Sequence, residues 1–455
     1  MQVGTKFSWA RFSVLCFSML LLLFGAAPQS VQAGEREKID IKLDVTETVF
    51  DNGLKVILME DHSVPVISYQ TYFRVGSRNE RPGITGISHF LEHMMFNGAE
   101  KYGPKEFDRI LESNGGYSNA FTSKDMTAYY EDFASDVLEL VVDLDTDRMK
   151  SLALDPKYLE SEMGVVKEER RLSIDNSVSG QMYEELYALA FKAHPYHWPV
   201  LGWMSDLERI DREDCVDYFK TYYAPNNAIL IVAGDFKADE ALELLHRYYD
   251  GIPPHEPSEP VRTVEPKQLG ERRAEVHKTA ELPEVFIGYR TPGVGSPDIY
   301  VLDVLQVILT RGRSSRLYRS LVRELGIAVY VYSSFPWRLD PDLFFLAAKI
   351  KPGHTTTEAE EAIYIALDSI GTHGVTVGEL DKAKNMLEAD FVRSMETVNG
   401  KAGKIGRYEV LFGDYREILN VPGRYRGVTS DDIKRVVQEY LTPKGRNVVT
   451  LIPEA

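Results

Sequence analysis

Short apolar runs recur along the chain between longer stretches whose apolar residues repeat at helical spacing. Leu54-Lys55-Val56-Ile57-Leu58 and Ala228-Ile229-Leu230-Ile231-Val232 are runs of this kind, rich in β-branched residues, and predict strands. The patterns around Phe107 to Asn114, Val137 to Lys150 and Asp239 to Tyr249 predict helices. Pro253-Pro254-His255-Glu256-Pro257-Ser258-Glu259-Pro260 fits neither period and predicts a linker, dividing a chain that is long for one ordinary core. Beyond it the pattern begins again. Asp303-Val304-Leu305-Gln306-Val307-Ile308-Leu309-Thr310-Arg311-Gly312 matches His89-Phe90-Leu91-Glu92-His93-Met94-Met95-Phe96-Asn97-Gly98 position for position at an offset of 214. Asn447-Val448-Val449 echoes Asn227-Ala228-Ile229 at an offset of 220. The expected fold class is therefore α+β: two homologous α/β halves, each an antiparallel-rich sheet with helices packed on one face. The expected boundaries are a first half over 34–252, a linker over 253–270 and a second half over 271–455.

The duplicated helix is also where the chemistry lies. His89-Phe90-Leu91-Glu92-His93 puts two imidazoles at i and i+4, one above the other, with the carboxylate at i+3 close beside them. Two neutral imidazoles and a carboxylate suit zinc, and catalysis needs a further position left open for water. The order H-x-x-E-H is the inverse of H-E-x-x-H, the inverzincin signature. A third ligand must come from elsewhere. In the segment Glu160 to Leu172, read as a helix, Glu162 and Glu169 lie seven residues apart on one face, with Glu168 beside the latter; the candidate is Glu169. In the second copy His89 becomes Asp303, Glu92 becomes Gln306 and His93 becomes Val307, so one zinc per chain is expected.

At these residues the chain resembles the pitrilysin family of zinc peptidases. Gly86-Ile87-Ser88 through Gly98 is similar to that family's active-site helix, Asn119-Ala120-Phe121-Thr122 to its N-A-x-T strand, and Val165-Val166-Lys167-Glu168-Glu169 to its distal ligand helix. The resemblance runs from about Val49 to the C-terminus. Glu169 stands 76 residues after His93, the interval the family keeps, and Glu168 is the competing choice. The resemblance implies that His89, His93 and Glu169 hold zinc, that Glu92 activates a water held there, and that Glu162 orients an imidazole. It further implies that Asn119 and Ala120 form an edge strand to which an extended peptide adds. Arg323 and Tyr330, seven residues apart, match an Arg and a Tyr that the family uses to hold substrate across a closed chamber. Gly326-Ile327-Ala328-Val329-Tyr330 carries one residue more than the family's usual G-L-A-Y, which leaves Tyr332 as the fallback. Peptides or unfolded polypeptides are the expected substrates of a zinc endopeptidase so built. Two halves alone must pair to enclose a chamber, so a homodimer is expected, with a heterodimer containing a metal-free relative as the alternative.

Composition narrows the remaining classes. With 44% hydrophobic and 27% charged residues, the 455-residue chain is globular rather than disordered. A formal charge of −17 argues against nucleic acid as a partner. Residues 1–33 read as a secretory signal: Lys6 and Arg11 give a positive start, Phe12 to Ala27 an apolar run short for a membrane span, and Val31-Gln32-Ala33 small residues for cleavage. Its removal takes the charge from −17 to −19, leaves Cys215 as the only cysteine and implies a periplasmic protein. No later stretch has 18 consecutive apolar residues, so the mature chain is not expected to span a membrane. His194-Pro195-Tyr196-His197 has ligand-type residues, but its prolines place it in a turn with no third ligand close in sequence. A partner subunit that has lost catalysis usually lacks part of the H-x-x-E-H set, and a metal-delivery protein would not need Glu92.

Overall fold

The computed structural model describes residues 42–454. The expected leader, with Cys16, lies outside the described residues. Six strands, β1 (Thr46–Val49), β2 (Lys55–Glu60), β3 (Val66–Phe73), β4 (Tyr117–Thr122), β5 (Thr127–Ala134) and β6 (Ala228–Gly234), form one sheet in the order β1-β2-β6-β3-β5-β4. Five more, β7 (Arg272–Thr279), β8 (Glu284–Thr291), β9 (Ala328–Ser334), β10 (Asp342–Ile350) and β11 (Arg446–Glu454), form a second in the order β7-β11-β8-β10-β9.

Leaving out β1, the two orders correspond strand for strand. β2 runs parallel to β6 as β7 runs parallel to β11, and every other neighbouring pair is antiparallel. The offsets of 214 and 220 in sequence thus recur as a repeated sheet, and the α+β class with two homologous halves is what the chain adopts.

The helical cover of these sheets holds a feature that periodicity did not reveal. Alternate residues of β10, such as Phe344, Leu346 and Ala348 against Leu343, Phe345 and Ala347, are buried on both faces. A strand buried on both sides needs a helix on each. On one face each sheet carries helices from its own half. On the other it receives a single helix from the opposite half: α3 (Val178–Ala190) lies on the second sheet, and α5 (Val398–Phe412) lies on the first. The crossing of α5 over β3 is close enough to require glycine, since a Cβ at Gly406 would stand 2.2 Å from the Tyr72 ring. Polar bonds fix the same contact: Lys55 Nζ meets Glu409 Oε1 at 2.8 Å, and Asn399 Nδ2 donates to Asp132 Oδ2 at 2.9 Å.

Candidate metal centre

Helix α1 (Ile87–Met94) begins at Gly86, whose φ of +91° is left-handed and whose missing Cβ would meet Leu201 O at 2.7 Å. Its first free amides are satisfied by a buried side chain. Glu80 Oε2 accepts from Gly86 N–H at 2.8 Å and Oε1 from Ser88 N–H at 2.9 Å. Burial pushes the Glu80 carboxyl up to about 8, against the pull of those two backbone bonds. One turn on, the His89 and His93 rings lie 4.7 Å apart between centroids.

The third group comes from α2 (Pro156–Arg170), whose start follows from Asp155 accepting the Lys157 amide at 2.8 Å and from proline in its first turn. Glu162 and Glu169, two turns apart, both face α1. Glu169 Oε2 lies 3.5 Å from His89 Nε2 and 3.6 Å from His93 Nε2. Glu162 Oε1 accepts from His93 Nδ1 at 2.8 Å. Glu168 is exposed and pairs with Arg171 Nη1 at 3.2 Å instead. Arg170 secures the end of the helix by donating to Glu184 Oε2 at 2.8 Å and to Gly202 O at 2.7 Å, just where α2 passes into a π-helical segment, Arg171–Asp175.

His89, His93 and Glu169 are the one group of three or more such ligands found among the described residues, with candidate ligand atoms all within 4.8 Å of one another. Donors 2.0–2.1 Å from a tetrahedral zinc stand about 3.4 Å apart, so the separations of 3.5 and 3.6 Å fit the ion closely. Electrostatics agree. Burial, reinforced by the facing His93, holds His89 down to about 4, in the neutral form that ligates. Burial also disfavours charge on His93, yet the acceptors Glu162 and Glu169 outweigh it and push the ring up to about 9. His93 in turn lowers both carboxyls. Two carboxylates around a pair of imidazoles make a place that favours a cation.

Glu92 lies beside this group without joining it. Burial raises its carboxyl, opposed by a hydrogen bond that Thr122 Oγ1 donates to Glu92 Oε2 at 2.5 Å. Thr122 ends the N-A-x-T strand, and its bond to Glu92 is a tertiary contact that its place in that strand does not announce. A cavity of about 650 Å³ brings together Glu92, His93, Glu162, Asn119 and Ala120. Asn119 and Ala120 lie on β4, an edge strand whose outer side has no neighbour in the sheet. Tyr330 opens into a different cavity, where its hydroxyl donates to Glu284. Arg323 is exposed at the end of a π-helical segment, Tyr318–Glu324, and has no hydrogen-bond or ion-pair partner among the described residues. The structure therefore does not bring Arg323 and Tyr330 into the cavity of Glu92 within one chain. His194 Nε2 meets Asp340 Oδ2 at 3.1 Å and joins no metal-ligand group among the described residues.

The counterpart of α1 in the second half is α4 (Asp298–Thr310). There Asp303 Oδ2 accepts from Tyr425 Oη at 2.6 Å and Trp337 Nε1 at 3.1 Å, and Gln306 Nε2 donates to Ser333 O at 2.9 Å. These residues have become part of an aromatic core.

Comparison with known proteins gives two family matches in tandem. Residues 55–202 match the model described as insulinase, peptidase family M16, and residues 209–387 match that described as peptidase M16 inactive domain. The zinc protease PqqE of Helicobacter pylori is 32% identical over 441 residues, covering 96% of this chain and 97% of that protein. An uncharacterized zinc protease of Mycobacterium leprae, ML0855, is 27% identical over 424 residues, covering 91% and 94%. The crystal structure of a protease from Helicobacter pylori superposes with a TM-score of 0.86 at 31% identity, covering 90% of this chain and 100% of that one.

Proposed function

Because the chain belongs to the M16, or pitrilysin, family of zinc peptidases, we propose that it is a zinc-dependent endopeptidase acting on peptides or unfolded polypeptides. The observation that carries this reading is the convergence of His89 Nε2, His93 Nε2 and one Glu169 oxygen, with Glu92 alongside, bonded by Thr122 and outside that group. His89, His93 and Glu169 would hold one zinc ion per chain. Bound there, the metal supplies a Lewis acid that polarises the scissile carbonyl and acidifies water.

The chain's own residues do the rest. Glu92 takes a proton from the attacking water and later returns it to the leaving amine, a role suited to a carboxyl raised by burial. Thr122 fixes which oxygen of Glu92 is free. Glu162 holds His93 with Nδ1 as the donor, which leaves Nε2 for the ion. The free edge of β4 at Asn119 and Ala120 would pair with an extended substrate backbone, placing a peptide bond beside Glu92. Arg323 and Tyr330 would hold substrate from the second half. Their separation from the cavity of Glu92 within one chain favours pairing of two chains, with a homodimer as the first expectation and a heterodimer with a metal-free relative as the second.

The same proposal includes a secreted, periplasmic protein cut after residue 33, with halves at 34–252 and 271–455 about a linker. No helix among the described residues is long and apolar enough to cross a membrane. Metal analysis combined with mass spectrometry of peptides exposed to the wild type and to Glu92→Gln tests the central claim. Cleavage that is equal in the two proteins, or absent from both in the presence of bound zinc, would overturn it.

A further inference from the structure

A second cavity, of about 560 Å³, opens where α3 crosses the second sheet. Its walls are aromatic: Tyr183 and Tyr187 from α3, and Phe286, Tyr330, Tyr332 and Phe345 from β8, β9 and β10. Phe345 lies at the centre of the cluster, 4.8 Å from Phe286, 5.9 Å from Tyr332 and 6.3 Å from Tyr183 between ring centroids. Tyr183, Tyr330 and Tyr332 remain 41%, 39% and 50% exposed, so the rings present an open surface rather than a closed core.

One lining residue does not belong in an apolar wall. Glu284 is 1% exposed, and its described hydrogen-bond partner is the Tyr330 hydroxyl, which donates to Oε1. It has no ion-pair partner among the described residues. Lys349 stands opposite it in the β8–β10 register, yet the two side chains do not pair. Burying a carboxylate without a cation is costly unless something arrives to meet it. Faces of tyrosine and phenylalanine attract cations, and one ring of this wall already does so: Lys124 Nζ sits 3.5 Å from the centroid of the Tyr187 ring.

The cavity is also tied to the metal centre. Ser173 and Ile174, which line it, belong to the π-helical segment that begins two residues after Glu169. Glu184, another lining residue, is the ion-pair partner of Arg170.

We propose that this cavity is a specificity pocket for a lysine or arginine side chain of the bound peptide, the aliphatic stem lying between the rings and the cationic head meeting Glu284. The inference rests on the peptidase reading and names its substrate class. A purely apolar side chain would fill the walls but leave Glu284 without a cation, so the pocket discriminates by charge rather than by size.

The test separates binding from cleavage. In zinc-loaded Glu92→Gln protein, two fluorescent peptides identical except for lysine against norleucine at one position are compared by anisotropy. The lysine peptide is expected to bind about 10-fold more tightly or better, the scale of a charge-assisted contact. Adding Glu284→Gln, which keeps the side chain's shape and an acceptor for Tyr330, should erase the difference. Tyr183→Leu, on the exposed wall, should reduce it and serves in place of Glu284→Gln if that variant does not fold. Equal binding of the two peptides, or a lysine preference that survives the substitution, overturns the pocket. Wild-type cleavage without preference for basic residues overturns the pocket while leaving the peptidase reading standing. A lysine preference in binding with no cleavage of any peptide supports the pocket and overturns the peptidase reading.

Discussion

Glu162 accepts a hydrogen bond from His93 Nδ1 at 2.8 Å, whereas Nδ1 of His89, buried in the same helix, has no hydrogen-bond partner among the described residues. The two imidazoles are therefore held by different means: His93 is oriented through Nδ1 by a charge-assisted bond to α2, whereas His89 has no such bond at Nδ1 and faces α2 only through Nε2, 3.5 Å from Glu169. Removing the bond should cost metal affinity without removing a ligand. Glu162→Gln is expected to weaken zinc binding or activity by about 10- to 100-fold. Glu169→Gln should lower zinc occupancy further, and Glu168→Gln, at an exposed residue paired with Arg171, should leave it near wild type. Competition with a chelator measures all three. Sensitivity at Glu168 rather than Glu169 would shift the ligand assignment by one residue.

Glu92 and Thr122 form the second pair to test. Glu92→Gln should retain zinc while peptide cleavage falls by at least about 10²-fold, the low end for loss of a general base. Thr122→Val removes the hydroxyl that selects one Glu92 oxygen but keeps a β-branched side chain in β4. It should lower kcat while zinc content stays unchanged. Loss of metal from the Glu92→Gln protein would make Glu92 a ligand and end its assignment as a base.

The imidazole pair was legible because i,i+4 spacing is a local property of one helix. Glu169 was legible from a second helix and a fixed interval. Thr122 and Glu80 were not: each acts on α1 through a tertiary contact, and a threonine in a strand or a glutamate in a loop carries no local sign of what it will meet. The exchanged helices show the same limit at the level of the fold. An apolar stripe on α5 says that a face is buried, but nothing in its period says that the covering sheet belongs to the other half.

That exchange makes Gly406 a point where the fold is sensitive. Gly406→Ala would place a methyl 2.2 Å from the Tyr72 ring, a strain that helix propensity alone would not predict, since alanine is the better helix former. Overpacking of this kind typically costs about 1–3 kcal/mol. Thermal unfolding should show a lower Tm than wild type. An unchanged or raised Tm would mean that α5 rides away from β3 without penalty.

Asp303, in the place of His89, gives a pH prediction. Burial pushes its carboxyl up to about 7 from an ordinary value of 3.8, despite the opposing bonds from Tyr425 and Trp337. The folded state therefore holds this proton more tightly than the unfolded chain. The stability associated with it is fully present below pH 3.8 and is lost as pH rises through about 7. Asp303→Asn removes the titration while keeping an oxygen acceptor. Between pH 5 and pH 8 the wild type should lose stability relative to the variant, by up to about 3 kcal/mol, since the loss runs only up to the folded value of about 7. Urea unfolding of both proteins across that range is the measurement, and parallel curves would show Asp303 ionised in the fold.

The last prediction concerns how the halves come together. Each chain carries His89, His93 and Glu169 in one half and Arg323 and Tyr330 in the other, and the structure places Tyr330 outside the cavity of Glu92. If a chamber forms between two identical chains, the first half of one must face the second half of its partner. Arg323→Ala should then weaken peptide turnover while leaving zinc content unchanged, because Arg323 touches none of the ligands. Mixing Arg323→Ala chains with Glu92→Gln chains produces mixed dimers in which one of the two facing pairs is intact. Random exchange makes about half of all dimers mixed, so recovery should approach about a quarter of wild-type activity. If the mixture stays inactive although labelled subunits demonstrably exchange, the two halves act within one chain or Arg323 has no part in turnover.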